Sequence, residues 1–154
     1  MNEVRAPSDF RLFSKESGPS EETVRSAGEK VLFRYPQVAL GYLFGSFVTR
    51  DTFRDIDIAV LYSGEPDPCT FFDLQMEIAG EIEDLLSPRV PCDVRVLNAA
   101  PLEFCFEVIR TGTVIFCRNA DRKTGYEADI IRRYLDQEYL FDRVDRAYLF
   151  GVSA

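Results

Sequence analysis

The chain contains no histidine and no tryptophan among its 154 residues. Without imidazole it lacks the commonest general base near neutral pH, a principal nitrogen ligand for zinc, and the middle member of a Ser-His-Asp triad. Cysteine is sparse as well. Cys69, Cys92, Cys105 and Cys117 are far apart and form no Cys-x-x-Cys pair, which argues against a zinc ribbon or a redox motif. Free thiols buried in the core are the expectation. Basic charge is in deficit, 18 Lys and Arg against 26 Asp and Glu for a net charge of −8, and this disfavours a polynucleotide partner. No apolar run approaches the roughly 20 residues that span a bilayer, and Met1 to Pro7 lack an apolar signal core. A cytoplasmic protein with no membrane contact is expected.

With those chemistries removed, carboxylates are left to do the work. A hydrophobic content of 46% with 13% aromatics is enough for one packed domain at this length. Residues 1–19, with Pro7, Ser8, Ser17, Gly18 and Pro19, read as an N-terminal arm whose Phe10, Leu12 and Phe13 are able to dock. The domain is then 20–154. Ser20 caps a helix from Glu21 to about Tyr35 that Pro36 stops; Val38–Phe44 and Ile56–Tyr62 read as strands. A loop from Gly64 to Pro68 leads to a helix over about Phe71–Leu86, with Phe72 and Met76 among its core positions. Cys92–Leu97 reads as a strand, Pro101 to Gly112 as a short helix, Thr113–Cys117 as a last strand, and about Asp121 onward as a long helical segment. That last segment carries more apolar surface than one small sheet requires. Tyr139, Phe141, Tyr148 and Phe150 suit either packing back on the domain or its arm, or a partner or homo-oligomer face.

The densest signal is Gly45-Ser46, a short loop or helix, and then Asp55-Ile56-Asp57. Gly45 ends an apolar strand and permits close backbone approach to a phosphate, and Ser46 adds a hydroxyl. Successive strand side chains point to opposite faces, so Asp55 and Asp57 share a face at about 7 Å between Cα atoms, while Ile56 and Ile58 point to the core. Such a pair can bridge two Mg²⁺ ions, although an isolated Asp-x-Asp more often marks a solvated strand end. Asp93, in the strand Cys92–Leu97, is the candidate third carboxylate. It would hold metal and help to deprotonate an attacking hydroxyl, or else form a surface ion pair with Arg95 on its own face.

Together these residues resemble a known family. Gly45-Ser46-Phe47, Asp55-Ile56-Asp57-Ile58-Ala59-Val60-Leu61 and Asp93-Val94-Arg95-Val96-Leu97-Asn98 with Ala100-Pro101 resemble the minimal nucleotidyltransferases of the DNA polymerase beta superfamily. Val108 to Phe116 and Arg133 to Asp136 are similar to later family segments, so the resemblance spans about residues 40–136. It implies an α+β fold, a small mixed sheet flanked by helices, with a long C-terminal helical segment. Gly45 and Ser46 would bind the nucleotide, and Asp55, Asp57 and Asp93 would be the catalytic metal ligands for two Mg²⁺ ions, with ATP as substrate. Members of this group serve as antitoxins that move AMP to a tyrosine of a helical HEPN toxin. The chain departs from the pattern at Val48-Thr49-Arg50, where Ala-Arg-Gly is common, and at Arg54, where Ser is common. Those departures sustain an alternative, a catalytically degenerate binding protein that neutralises its partner by occlusion.

Overall fold

The structure is a computed structural model, and it describes residues 11–65 and 67–150. Pro7, Ser8 and Phe10 of the expected arm lie outside the described residues, as does the side chain of Phe150. Elements follow in the order β1 (Phe13–Ser14), α1 (Glu21–Phe33), β2 (Val38–Phe44), α2 (Ser46–Thr49), β3 (Thr52–Phe53), β4 (Ile56–Tyr62), α3 (Pro68–Leu85), β5 (Cys92–Val96), a 3-10 turn (Leu97–Ala99), α4 (Leu102–Thr111), β6 (Thr113–Cys117) and α5 (Ala120–Phe150). Four strands form one mixed sheet in the order β5-β4-β2-β6. β2 runs antiparallel to both β4 and β6, whereas β4 and β5 are parallel, with α3 supplying the crossover that a parallel pair requires.

Period-two alternation divides the core between the two sheet faces. In β4, Ile56, Ile58, Val60 and Tyr62 pack with Val24 and Val31 of α1 and Ile78 and Ile82 of α3. Ala59 and Leu61 point the other way, against Cys105 and Val108 of α4 and Ile130 of α5. Both faces of β2 and β4 are therefore covered, which is why their sequences read as nearly continuous apolar runs. Gly41 lets α1 come close, since a Cβ there would lie 2.4 Å from Leu32 Cδ1.

Local chemistry sets the element ends. Ser20 Oγ accepts the Thr23 N–H at 3.1 Å to start α1, which ends at Phe33, before Pro36. α3 begins at Pro68, earlier than the expected Phe71, because Asp67 Oδ1 accepts the Thr70 N–H at 3.0 Å and proline suits a first helical position. Phe72 and Met76, expected in the core, are each 62% exposed. They lie one turn apart on a stripe turned away from Ile78 and Ile82. The thiols also differ from expectation. All four cysteines are free, but only Cys105 is buried; Cys69 and Cys117 are exposed on the first turn of α3 and at the end of an edge strand.

Candidate active site

The site is built at the end of the sheet where β2 finishes and β4 and β5 begin. Asp55 immediately precedes β4, and Asp57 is its second residue. Asp57 sits between two strands, paired with Phe44 of β2 on one side and with Asp93 of β5 on the other. Because β4 and β5 are parallel and in register at this point, Asp57 and Asp93 project from the same face. Gly45 follows Phe44 with φ of 79°, a left-handed conformation that favours glycine. A Cβ built there would fall 2.2 Å from Asp57 Oδ2, so the turn and the carboxylate are in direct apposition.

The turn is held rigidly. Gly45 O accepts the Val48 and Thr49 N–H groups, each at 3.1 Å, and the Thr49 hydroxyl donates to it at 3.1 Å as well. Thr49, at the altered family position, thus closes the turn. The first N–H groups of α2 have no acceptor within the helix. Phe47 is buried and packs edge-on to Phe53 at 4.8 Å, and Phe53 stacks on Phe13 at 5.8 Å. This aromatic trio, with β1 paired to β3, fixes the loop from Gly45 to Asp55. Sequence reading gave no role to β3 or Phe53; the available signal was a few phenylalanines standing in otherwise polar stretches. Arg50 and Arg54 are exposed on this loop.

Electrostatics concentrate on Asp57. Burial first, and then the charges of Asp55 and Asp93, push its carboxyl up from 3.8 to about 6, with Arg95 acting in the opposite direction. Arg95 Nε donates to Asp93 Oδ2 at 3.3 Å, so Asp93 both forms the ion pair anticipated as one alternative and stands in register with Asp57. The Arg95 guanidinium lies 5.4 Å from the Phe104 ring centre, and Phe104 packs edge-on to Phe44 at 5.4 Å. The start of β5 is anchored from beneath: buried Glu83 accepts the Cys92 N–H at 2.7 Å and a guanidinium N–H of Arg89 at 3.0 Å. Asn98 of the family-like segment serves the opposite end of β4. Its amide bonds both the N–H and the C=O of Tyr62, at 2.8 and 2.9 Å.

The donor chemistry suits a hard divalent cation: three carboxylates, one of them half-buried and acted on by the charges of the other two, beside the Gly45 turn. Among the described residues no three acidic, thiol or imidazole groups converge into a ready cage. The arrangement fits a cation that takes part of its coordination from substrate phosphates, as Mg²⁺ commonly does. Among the described residues no helix is long and apolar enough to cross a membrane.

The fold has solved counterparts. A chain of the complex of tri-AMPylated Shewanella oneidensis HEPN toxin with MNT antitoxin matches at a TM-score of 0.58 and 23% identity, covering 80% of this chain and 97% of that one. The MntA-HepT toxin-antitoxin structure matches at 0.58 and 22%, covering 80% and 98%. A toxin-antitoxin structure with AMP-PNP matches at 0.59 and 24%, covering 78% and 97%. No curated protein matches the chain. The family model described as polymerase beta, nucleotidyltransferase matches residues 29–121, more than half of the chain. The chain belongs to the polymerase beta nucleotidyltransferase family.

Proposed function

We propose that the protein transfers AMP from MgATP to a hydroxyl, that the acceptor is a tyrosine of a helical HEPN-type toxin, and that it thereby acts as an antitoxin in the cytoplasm. The observation that carries this reading is the register of Asp57 with Asp93 beside the Gly45 turn. The likeness to MNT antitoxin–HEPN toxin complexes, one of them AMPylated and another holding AMP-PNP, supports the choice of nucleotide and partner.

In this reading Asp55, Asp57 and Asp93 would hold two Mg²⁺ ions, and Gly45 and Ser46 would hold the triphosphate. When bound, Mg²⁺ would supply charge neutralisation at the phosphates. Asp57 is shared by both halves of the site, since it touches the turn and pairs with Asp93. The register of Asp57 with Asp93 and the charges of Asp55 and Asp93 acting on Asp57 support a site in which carboxylates held by paired strands need little reorganisation at the moment of reaction. Asp93 takes the acceptor proton, a task for which its place matters more than its intrinsic basicity.

The test is incubation of the protein and a candidate helical partner with Mg²⁺ and ATP labelled at the α-phosphate. Label retained on the partner is the expected result. Absence of label, with the partner bound equally by the wild type and by Asp55→Asn/Asp57→Asn, would replace transfer with occlusion.

A further inference from the structure

Among the described residues Glu83 is the one charged side chain withdrawn from water, 4% exposed beneath the start of β5. A carboxylate there is costly unless its oxygens are bonded, and an apolar residue would pack α3 as its neighbours Ile82 and Leu86 do. What the carboxylate adds is an acceptor for one particular donor. Pro91 has no N–H, so Cys92 carries the first that this end of β5 offers. β5 is the outer strand of its sheet, with no further strand to take that group. Glu83 Oε1 accepts it at 2.7 Å, while Oε2 accepts a guanidinium N–H of Arg89 at 3.0 Å.

The other side of the same peptide is held as well. Pro91 O accepts the Ile56 N–H at 2.9 Å. The Pro91–Cys92 unit is thus gripped through its C=O by β4 and through its N–H by α3, and a planar peptide held at both groups has little freedom to rotate. Its neighbours are the carboxylates: Ile56 stands between Asp55 and Asp57, and Cys92 directly precedes Asp93. One peptide therefore joins the backbone that carries two of the acids to the backbone that carries the third. Without Glu83 the link from α3 is lost, and Asp93 would sit on the first residues of an outer strand, where a sheet frays most readily.

We propose that Glu83 is a positioning residue of the transferase site, acting through the Pro91–Cys92 peptide to hold Asp93 level with Asp57 for cation binding. The inference rests on the transferase reading above. Glutamine at this position keeps an acceptor for Cys92 but loses the ion pair with Arg89; leucine fills the space and keeps neither.

The test is NMR of the full chain as wild type, Glu83→Gln and Glu83→Leu, first alone and then titrated with an equimolar mixture of Mn²⁺ and ATP, the paramagnetic ion broadening the amide signals near it. Glu83→Leu should lose the protection of the Cys92 amide against hydrogen exchange while the Tyr62 amide, at the far end of β4, keeps its shift. The concentration that half-broadens the Asp57 and Asp93 amides should rise about tenfold in Glu83→Leu and stay within about twofold of the wild type in Glu83→Gln. If Glu83→Leu loses the Cys92 protection yet binds as the wild type does, or if Glu83→Gln is as weak as Glu83→Leu, Glu83 does not position Asp93. Should Glu83→Leu fail to fold, Glu83→Asp decides: it keeps the charge, draws the acceptor back by one methylene, and should raise the half-point about threefold. An unchanged half-point in that variant overturns the proposal. If the wild type itself shows no broadening at Asp57 and Asp93, it is the metal site of the transferase reading that fails, and the positioning role falls with it.

Discussion

The carboxylate end of the sheet and the distal half of α5 both hold groups in places that do little for the stability of the isolated chain, but they do so in opposite ways. At the sheet end, burial and then the charges of Asp55 and Asp93 push the carboxyl of half-buried Asp57, in register with Asp93, up to about 6. In distal α5, Tyr139, Leu140, Phe141, Val144, Tyr148 and Leu149 are each more than half exposed. Among the described residues the helix is anchored by positions up to Gln137: Glu127 accepts from the Tyr42 hydroxyl at 2.9 Å, Ile130 lies in the core, Tyr134 stacks on Phe106 at 3.9 Å, and Gln137 donates to Glu103 at 2.7 Å. The fold imposes electrostatic strain at one end and withholds packing at the other. Unfavourable charge held by paired strands marks a candidate site, whereas apolar surface left in water contributes little to the domain that carries it.

The comparison breaks most sharply if the carboxylates prove dispensable. Asp55→Asn/Asp57→Asn should lower label transfer by about 10³-fold or more while leaving the circular dichroism spectrum unchanged. Gly45→Ala adds both a strained φ and a clash with Asp57, so it should destabilise the protein by about 1–3 kcal/mol in urea titration. It should also abolish any Mg²⁺-dependent thermal shift with ATP.

A smaller effect of opposite sign should follow from removing the strain alone. The folded pKa of Asp57 lies above its unfolded value, so the folded state binds the proton more tightly. Its contribution to stability is fullest below about pH 4 and is lost as pH rises through about 6. Asp57→Asn should therefore be more stable than the wild type at neutral pH, by about 1 kcal/mol once solvent screening is allowed for, and the two should converge in acid. Urea midpoints across pH measure this directly. Equal stability at all pH values would mean that neither burial nor the neighbouring carboxylates perturb Asp57. Last and least, Leu140→Ser with Val144→Ser should change the urea midpoint by no more than about 0.5 kcal/mol, as expected of exposed positions. A larger loss would show that distal α5 supports its own domain after all.

Much of the architecture was legible because periodicity is a local property. The apolar runs of β2 and β4 and the cap at Ser20 carry their own signals, and each element forms near its expected place. Phe72, Met76, Cys69 and Cys117 were misjudged for one shared reason. An apolar residue type states a preference for burial, but which stripe of α3 or which end of an edge strand is covered depends on neighbours distant in sequence. The small β1–β3 pair was missed because two-residue strands have no period to detect.

By itself the sequence determined the chemistry available here: carboxylates without imidazole, an acidic surface, a glycine that ends one strand and an Asp-x-Asp that begins another. These are matters of composition and short-range spacing, and they persist in any arrangement of the chain. Only the tertiary structure decided that Asp93 stands level with Asp57, that Gly45 abuts the same carboxylate, and that Arg95 reaches from Asp93 to the Phe104 ring. Register between β4 and β5 is set by the α3 crossover and by the packing of both sheet faces. A one-residue slip would turn Asp93 to the opposite face, and no local pattern in β5 records which register is adopted.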